Sequence, residues 1–277
     1  MITIKRIFIA AAIGVLASSC SYETIRVSDE VSTREYDFDN ITALSVATDF
    51  KAYVTFSETE ERVSIKANDN LLDKIRIYQE GERLVVKLKN NINVKGQETL
   101  QLYITMLEIT DFDASSDAAI YLDDALDAGK VKIDLSSDAY FEGNITASDF
   151  ELRASSDSTA DLYVNAPTTY MNLSSGAKVM GEIDTQNAIF KLTSDSTMDV
   201  VGNSNNLKAT LSSDSKLSDY GLYVEDLEIS LSSDSDAYLT VSNTIDVTAS
   251  SDARLFYKGN AEIVRQVLSS DGRVIKK

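Results

Sequence analysis

The amino-acid sequence predicts an all-β protein, in which a parallel β-solenoid of about 19 residues per coil follows an N-terminal β region. Three observations support this fold class. A Ser-Ser-Asp motif recurs at an almost constant interval through the second half of the chain. Apolar and polar residues alternate around each motif, which is typical of strands and not of helices. Turn-forming Gly, Asn and Asp residues lie between the motifs, where a coil has to change direction.

The motif repeats nine times, and its period decides the architecture. Its third position falls at 117, 138, 157, 176, 195, 214, 234, 252 and 271, so successive copies lie 18 to 21 residues apart. The copies are complete except that Thr193 replaces the first Ser once and Gly176 replaces the Asp once. A coil of this length has an extended perimeter of roughly 60 Å, enough for two or three short strands. A propeller blade needs about 40 residues, so the period disfavours a propeller.

The residues around the motif predict which side chains face the core. The third residue before the Asp position and the third after it are apolar or alanine, and the residue directly after it is always Ala, Ser or Gly. Strict alternation places the middle serine and the following small residue inside, and the first serine and the aspartate outside. We therefore expect Ser137 and Ala139 to be buried and Asp138 to face water. The inward hydroxyls of neighbouring coils are expected to form a ladder, because buried polar groups need partners.

Four segments follow from this reading. Residues 1–19 are predicted to be a lipoprotein signal peptide, residues 20–35 a tether, residues 36–110 a β region that caps the solenoid, and residues 111–277 the repeats. The cap is predicted from alternating stretches such as 52–56 and 84–88. A solenoid needs such a cover on its first coil.

The start of the chain predicts export and a lipid anchor. Lys5 and Arg6 precede an apolar stretch at 7–16 that is too short to span a bilayer. Cys20 follows as the single cysteine, which excludes an internal disulfide. The residues 16–20 resemble a bacterial lipobox, so we expect lipidation of Cys20 and attachment to the membrane through that lipid. The expected location is the cell envelope, as an outer-membrane lipoprotein on its periplasmic or cell-surface side.

Composition excludes several functions. The chain has 44 Asp and Glu against 26 Lys and Arg, a net charge of −18, so it repels nucleic acid. It contains no histidine, which rules out Ser–His and Cys–His nucleophile pairs. Cationic residues on the coils do not recur at one motif position, and the carboxylates are spread by the repeat. We therefore expect no catalytic residues and no enzyme.

The aspartates of the motif are the candidate site. Like charges about 5 Å apart repel by roughly 1 kcal/mol in water, so other interactions must compensate the repulsion between aspartates of successive coils. They are either solvated or hydrogen-bonded to local groups, or they bind divalent cations weakly, with calcium as the one cofactor considered. The column of outward aspartates consists of Asp117, Asp138, Asp157, Asp195, Asp214, Asp234, Asp252 and Asp271.

The sequence also resembles a known family, the auto-transporter adhesins with a head GIN domain. The resemblance rests on Tyr36–Ile41, on Asn68–Leu72, on Gly81–Val86 and on the serine-centred repeats. It covers residues 36–277. Members usually carry Ser-Gly-Ser-Gly at the coil motif, where this chain carries Ser-Ser-Asp. The resemblance implies a right-handed β-helix on a secreted or surface protein.

Three function classes stay open at this stage. The first is a surface binding or adhesion module for a glycan or a surface protein, the second a structural spacer of the envelope, and the third a polysaccharide-active enzyme. The first is favoured. Tyrosines predicted to be exposed are Tyr140, Tyr163, Tyr223, Tyr238 and Tyr257. They could stack on sugars, but such residues are more often packing partners of neighbouring strands. The oligomeric state is left open.

Overall fold

The computed structural model describes residues 23–277, so the predicted signal peptide and Cys20 lie outside the described residues. The described chain is nearly all β, and its one helix is a single turn, α1 (Asp69–Leu72). None of its helices is long and apolar enough to cross a membrane.

The N-terminal part contains nine strands. They are β1 (Glu23–Arg26), β2 (Val31–Tyr36), β3 (Ala43–Ala47), β4 (Lys51–Phe56), β5 (Arg62–Asn68), β6 (Ile75–Glu80), β7 (Arg83–Leu88), β8 (Ile92–Lys95) and β9 (Leu100–Met106). Antiparallel pairs occur only here among the described residues: β2 with β5, β5 with β9, and β6 with β7.

Thirteen further strands build the solenoid. They are β10 (Asp111–Ser115), β11 (Ala119–Leu122), β12 (Leu126–Leu135), β13 (Tyr140–Ala154), β14 (Thr159–Leu173), β15 (Lys178–Leu192), β16 (Thr197–Leu211), β17 (Lys216–Ser218), β18 (Leu222–Leu231), β19 (Asp236–Ala249), β20 (Arg254–Lys258), β21 (Glu262–Leu268) and β22 (Arg273–Lys276). All of their pairings are parallel, and β13 pairs with β14 almost residue for residue. The predicted β-solenoid of about nine turns is confirmed.

Two corners recur along the solenoid. One is the Ser-Ser-Asp turn, and the other is a pair of consecutive exposed residues that interrupts the alternation, such as 148–149 and 167–168. Some coils are interrupted a third time, as at 123–125 between β11 and β12. The strand before the turn and the strand after it form two walls, here called the pre-turn face and the post-turn face. At the second corner, amides stack between coils, and Asn206 donates to Asn187 over 3.1 Å.

The core runs between the walls as stacked columns of apolar side chains. The residues three before and three after the Asp position are buried in all coils but the last, as predicted. The largest side chains buried there include Phe112, Phe141, Phe150 and Phe190. Burial of such side chains is the main stabilising term of the fold.

The prediction for the middle serine is wrong. Ser116 and Asp117 both have positive φ, 56° and 62°, and both are exposed, and this conformation recurs in all nine motif turns. A turn with two left-handed central residues closes in four residues, and Ala118 N donates to Ser115 O over 3.3 Å. The strand alternation stops at the first serine and resumes at the fourth residue, so the middle serine faces water and the small residue after the aspartate faces the core.

The column of turns extends one coil further than the motif indicated. Thr48 and Asp49 have φ of 65° and 60°, and Asp49 N donates to Ser116 O over 3.1 Å. Strands β3 and β4 on either side pair in parallel with β10 and β11. The segment from β5 to β9 is inserted between this first coil and the second.

Candidate binding site

The turns form a continuous ridge, here called the turn column. The backbone N–H at each Asp position donates to the middle-serine carbonyl of the next coil, as from Asp117 to Ser137 over 3.0 Å and from Asp138 to Ser156 over 2.9 Å. Aspartate suits this place for a conformational reason, since Asp and Asn tolerate the left-handed region better than most residues. The eight predicted aspartates are all exposed, as expected.

Within the motif, the residue after the aspartate carries the buried hydroxyls. Ser196, Ser215 and Ser235 donate to main-chain carbonyls of the preceding coil over 3.0–3.3 Å. Ser158 occupies the same position, but its hydroxyl has no partner among the described residues. The predicted ladder of serine hydroxyls is therefore replaced by hydroxyl-to-backbone bonds, two residues later in the motif.

A polar groove of ≈ 490 Å³ lies on the pre-turn face beside the turn column. We call it the pre-turn groove. Its lining residues are Ser45, Asp113, Ala114, Ser115, Asp134, Leu135, Ser136, Arg153, Ala154, Ser155, Asn172 and Ser174.

The motif itself explains why a groove forms there. The first serine and the residue two places before it both point outward, because both precede the turn in the same strand. The serines are short, whereas Asp134, Arg153 and Asn172 beside them are longer. The column continues as Lys191, whose ammonium lies over the Tyr170 ring, and then as the shorter Thr210 and Ser230. The groove is therefore confined to the first coils.

Acidic groups at one end of the groove are matched by cations. Arg83 donates to Asp111 over 2.7 Å and also to Asp113, and Lys132 pairs with Asp134. Burial raises the pKa of Asp113, partly opposed by the Arg83 charge. One carboxylate oxygen of Asp111 is buried without a partner among the described residues. This end of the groove is polar with nearly balanced charge, despite the acidity of the chain.

The other end offers hydrogen-bond donors. Arg153 contacts Glu151 over 2.7 Å, and its side chain is 55% exposed. Asn172 follows Arg153 in the next coil. Together with the serine hydroxyls, these groups present donors and acceptors along one line, the arrangement that a ligand rich in hydroxyl groups can satisfy.

The aspartate column is a row and not a cluster. Within residues 23–277 no three Asp, Glu, His or Cys side chains form a group that could hold a metal ion. At the head of the row, burial and the charges of Glu98 and Asp117 raise the pKa of Asp49. Weak calcium binding along the column stays a prediction.

The predicted sugar-stacking tyrosines separate into three environments. Tyr163 and Tyr223 are each 57% exposed, Tyr140 and Tyr238 are half-buried, and Tyr257 is buried, so the prediction of exposure is wrong for Tyr257. Its place in the alternation faces the core, opposite the neighbouring Leu239.

An aromatic column on the post-turn face was not predicted. Tyr103, Tyr53 and Tyr121 stack with ring centroids 5.2 and 5.4 Å apart. Both faces of Tyr53 are covered by its neighbours, so this stack stabilises the sheet and leaves little ring surface for a sugar.

Sequence reasoning also missed the groove. The motif located the serines of the groove. The groove also needs the longer side chains beside them, Asp113, Asp134, Arg153 and Asn172, and these residues belong to no shared motif. The available signal was the constant offset of four residues before the Asp position, which places these four side chains in one column.

Comparisons with known proteins agree with the fold. A family model described as "Putative auto-transporter adhesin, head GIN domain" matches residues 37–180 and 158–261. A comparison with curated proteins finds no match.

Solved structures with the same fold come from Parabacteroides. A putative adhesin from Parabacteroides merdae is 16% identical, with a TM-score of 0.72 over 92% of this chain and 99% of that one. A putative adhesin from Parabacteroides distasonis is 12% identical, with a TM-score of 0.70 over 92% and 100%. A putative lipid binding protein from the same species is 13% identical, with a TM-score of 0.67 over 92% and 100%.

Proposed function

Because the chain belongs to the family of auto-transporter adhesins with a head GIN domain, we propose that it is a non-catalytic binding module of the cell envelope. The proposed ligand is rich in hydroxyl groups, such as a surface glycan, and it binds in the pre-turn groove. The observation that carries the proposal is the groove's line of donors and acceptors beside the turn column.

The chemistry of the groove favours such a ligand over a strongly charged one. Arg83 and Lys132 neutralise the carboxylates at one end, and Arg153 and Asn172 supply donors at the other. A volume of ≈ 490 Å³ matches sites that hold a small ligand or a few sugar units. A polyanion would be repelled by the net charge of −18.

A glycan array with the full chain tests the proposal. We expect binding that Arg153→Ala together with Asn172→Ala weakens at least tenfold, since each lost hydrogen bond removes about 1 kcal/mol. The matched control is Lys178→Ala, an exposed change on the post-turn face that leaves binding unchanged. Equal binding by the groove variant and the control would place the ligand elsewhere.

We further propose that the chain is exported and anchored by lipid on Cys20, as the lipobox-like residues 16–20 support. Metabolic labelling with a fatty acid should mark the wild type and not Cys20→Ser. Protease treatment of intact cells then distinguishes a surface-facing from a periplasmic protein. Labelling that survives Cys20→Ser would contradict the anchor.

The absence of catalysis stays a prediction as well. Incubation with pectin, alginate and host glycans should release no reducing sugar. Turnover of any of them would replace the binding module with an enzyme.

A further inference from the structure

We propose that copies of this chain associate head to tail, by pairing strand β22 of one copy with strand β2 of the next. Both strands are edges of one continuous sheet. From the N-terminal end this sheet runs β2, β5, β9, β4, β11 and then through the post-turn strands to β20 and β22. Within the described residues, β2 and β22 each pair on one side only.

The directions of the two edges match. Strand β5 is antiparallel to both β2 and β9, so β2 runs the same way as β9 and the solenoid strands. Translating one copy along the solenoid axis therefore brings β22 beside β2 in parallel. This is the pairing that every solenoid strand already makes, and an exposed edge is a template for it.

The charges of the two edges are opposite. Residues 29–39, around β2, contain five Asp or Glu and one Arg, and that cation, Arg34, pairs with Asp73 over 3.4 Å. Residues 273–277, around β22, contain three Lys or Arg and no acidic residue. A chain with a net charge of −18 thus carries a basic patch at one end of its sheet.

This charge pattern selects the partner. Tail-to-tail pairing would oppose Arg273 and Lys276 to their own copies, and head-to-head pairing would oppose carboxylates to carboxylates, both of which cost free energy. Only the head-to-tail arrangement sets cations against carboxylates. Such a contact is heterologous and does not close on itself, so it extends into a linear assembly.

Sedimentation velocity on the full chain in a nonionic detergent measures the association. Between about 1 and 100 μM protein, we expect the sedimentation coefficient to rise with concentration at about 20 mM salt, and the rise to disappear at about 500 mM, because salt screens exposed charges. Arg273→Glu with Lys276→Glu should lower the association constant at least tenfold. Adding Glu35→Lys and Asp37→Lys to that variant should restore it.

The control variant is Lys130→Glu with Lys178→Glu, which makes the same change in net charge at positions away from the two edge strands. It should associate like the wild type. Circular dichroism checks that each variant is folded. A chain that stays monomeric at about 100 μM and low salt overturns the proposal. The proposal is also overturned if the control variant loses association as the edge variant does, because the loss would then come from the change in net charge and not from the edge residues.

Disulfide cross-linking in a Cys20→Ser background gives the geometry. Chains with Glu35→Cys mixed with chains with Lys276→Cys should form mixed dimers, while each chain alone should form few. Dimers of the Lys276→Cys chain alone, at equal yield, would mean tail-to-tail contact and would overturn the proposal. Binding of the basic edge to anionic vesicles or to an acidic peptide, without association of copies, would also overturn it.

Discussion

The buried position after each aspartate offers a controlled measurement of one hydrogen bond. Ser158 and Ser215 occupy this position in two coils, and both are buried. Ser215 Oγ donates to Leu192 O over 3.0 Å and accepts from Ser212 N over 3.0 Å, whereas Ser158 Oγ has no partner among the described residues. The fold accepts alanine there, since Ala139 and Ala177 stand at the same position.

The two alanine substitutions should therefore change the free energy of unfolding in opposite directions. Ser215→Ala removes a satisfied hydroxyl and should lower the free energy of unfolding by about 1 kcal/mol. Ser158→Ala removes a hydroxyl that was buried without a partner, and should raise it by about 1–2 kcal/mol. For a chain of this size 1 kcal/mol corresponds to about 2–4 °C in the melting temperature.

Urea unfolding followed by circular dichroism, together with calorimetry, measures both variants against the wild type. Ser196→Ala is the second test of the satisfied class, because its hydroxyl donates to Leu173 O over 3.3 Å. If Ser158→Ala destabilises the chain as much as Ser215→Ala, the assignment of an unpartnered hydroxyl is refuted.

Three further predictions concern the backbone, a titrating group and the metal. Gly181 has φ of +125° and a Cβ there would overlap a backbone carbonyl of the preceding coil, so Gly181→Ala should lower the melting temperature by several degrees, while Gly129→Ala, with open space, should not lower it. Because the pKa of Asp49 is raised in the folded state, its ionised form opposes folding. Asp49→Asn should therefore raise the melting temperature at neutral pH, and the gain should vanish as the pH falls below the unfolded value of 3.8. If the aspartate column binds calcium, millimolar calcium should raise the melting temperature and a chelator should lower it; Asp195→Asn should reduce the shift, and identical curves would contradict binding.

Periodicity predicted the solenoid because each coil must place the same residue types at the same corner. It failed at the middle serine for a physical reason. Alternation holds only while the backbone is extended, and Ser137 and Asp138 are left-handed, with φ of 53° and 61°. Two such residues in a row remove one inward position, so Ser137 faces water, while Ala139 is buried as predicted.

The sequence pattern did not predict the first coil or the groove, for two different reasons. The turn at Thr48 and Asp49 has Phe50 where the repeats have a small residue, and the next Asp position, Asp117, comes 68 positions later in the sequence. The groove depends on differences in side-chain length between neighbouring columns, which a motif does not record. Some contacts between coils could have been predicted from the repeat period. Arg265 and Asp246, for example, are 19 residues apart and form an ion pair.

The hydrogen bonds that join one turn to the next use only backbone atoms, from the N–H at each Asp position to the following middle-serine carbonyl. Gly176 makes this bond as well as any aspartate, over 2.9 Å to Ser194. Because these bonds do not depend on the side chain, a gene that gains or loses one repeat changes the length of the solenoid by about 4.8 Å, and the remaining turns can form the same backbone bonds. Length in this molecule is a trait that evolution can adjust in whole steps, independently of the sequence of the early coils.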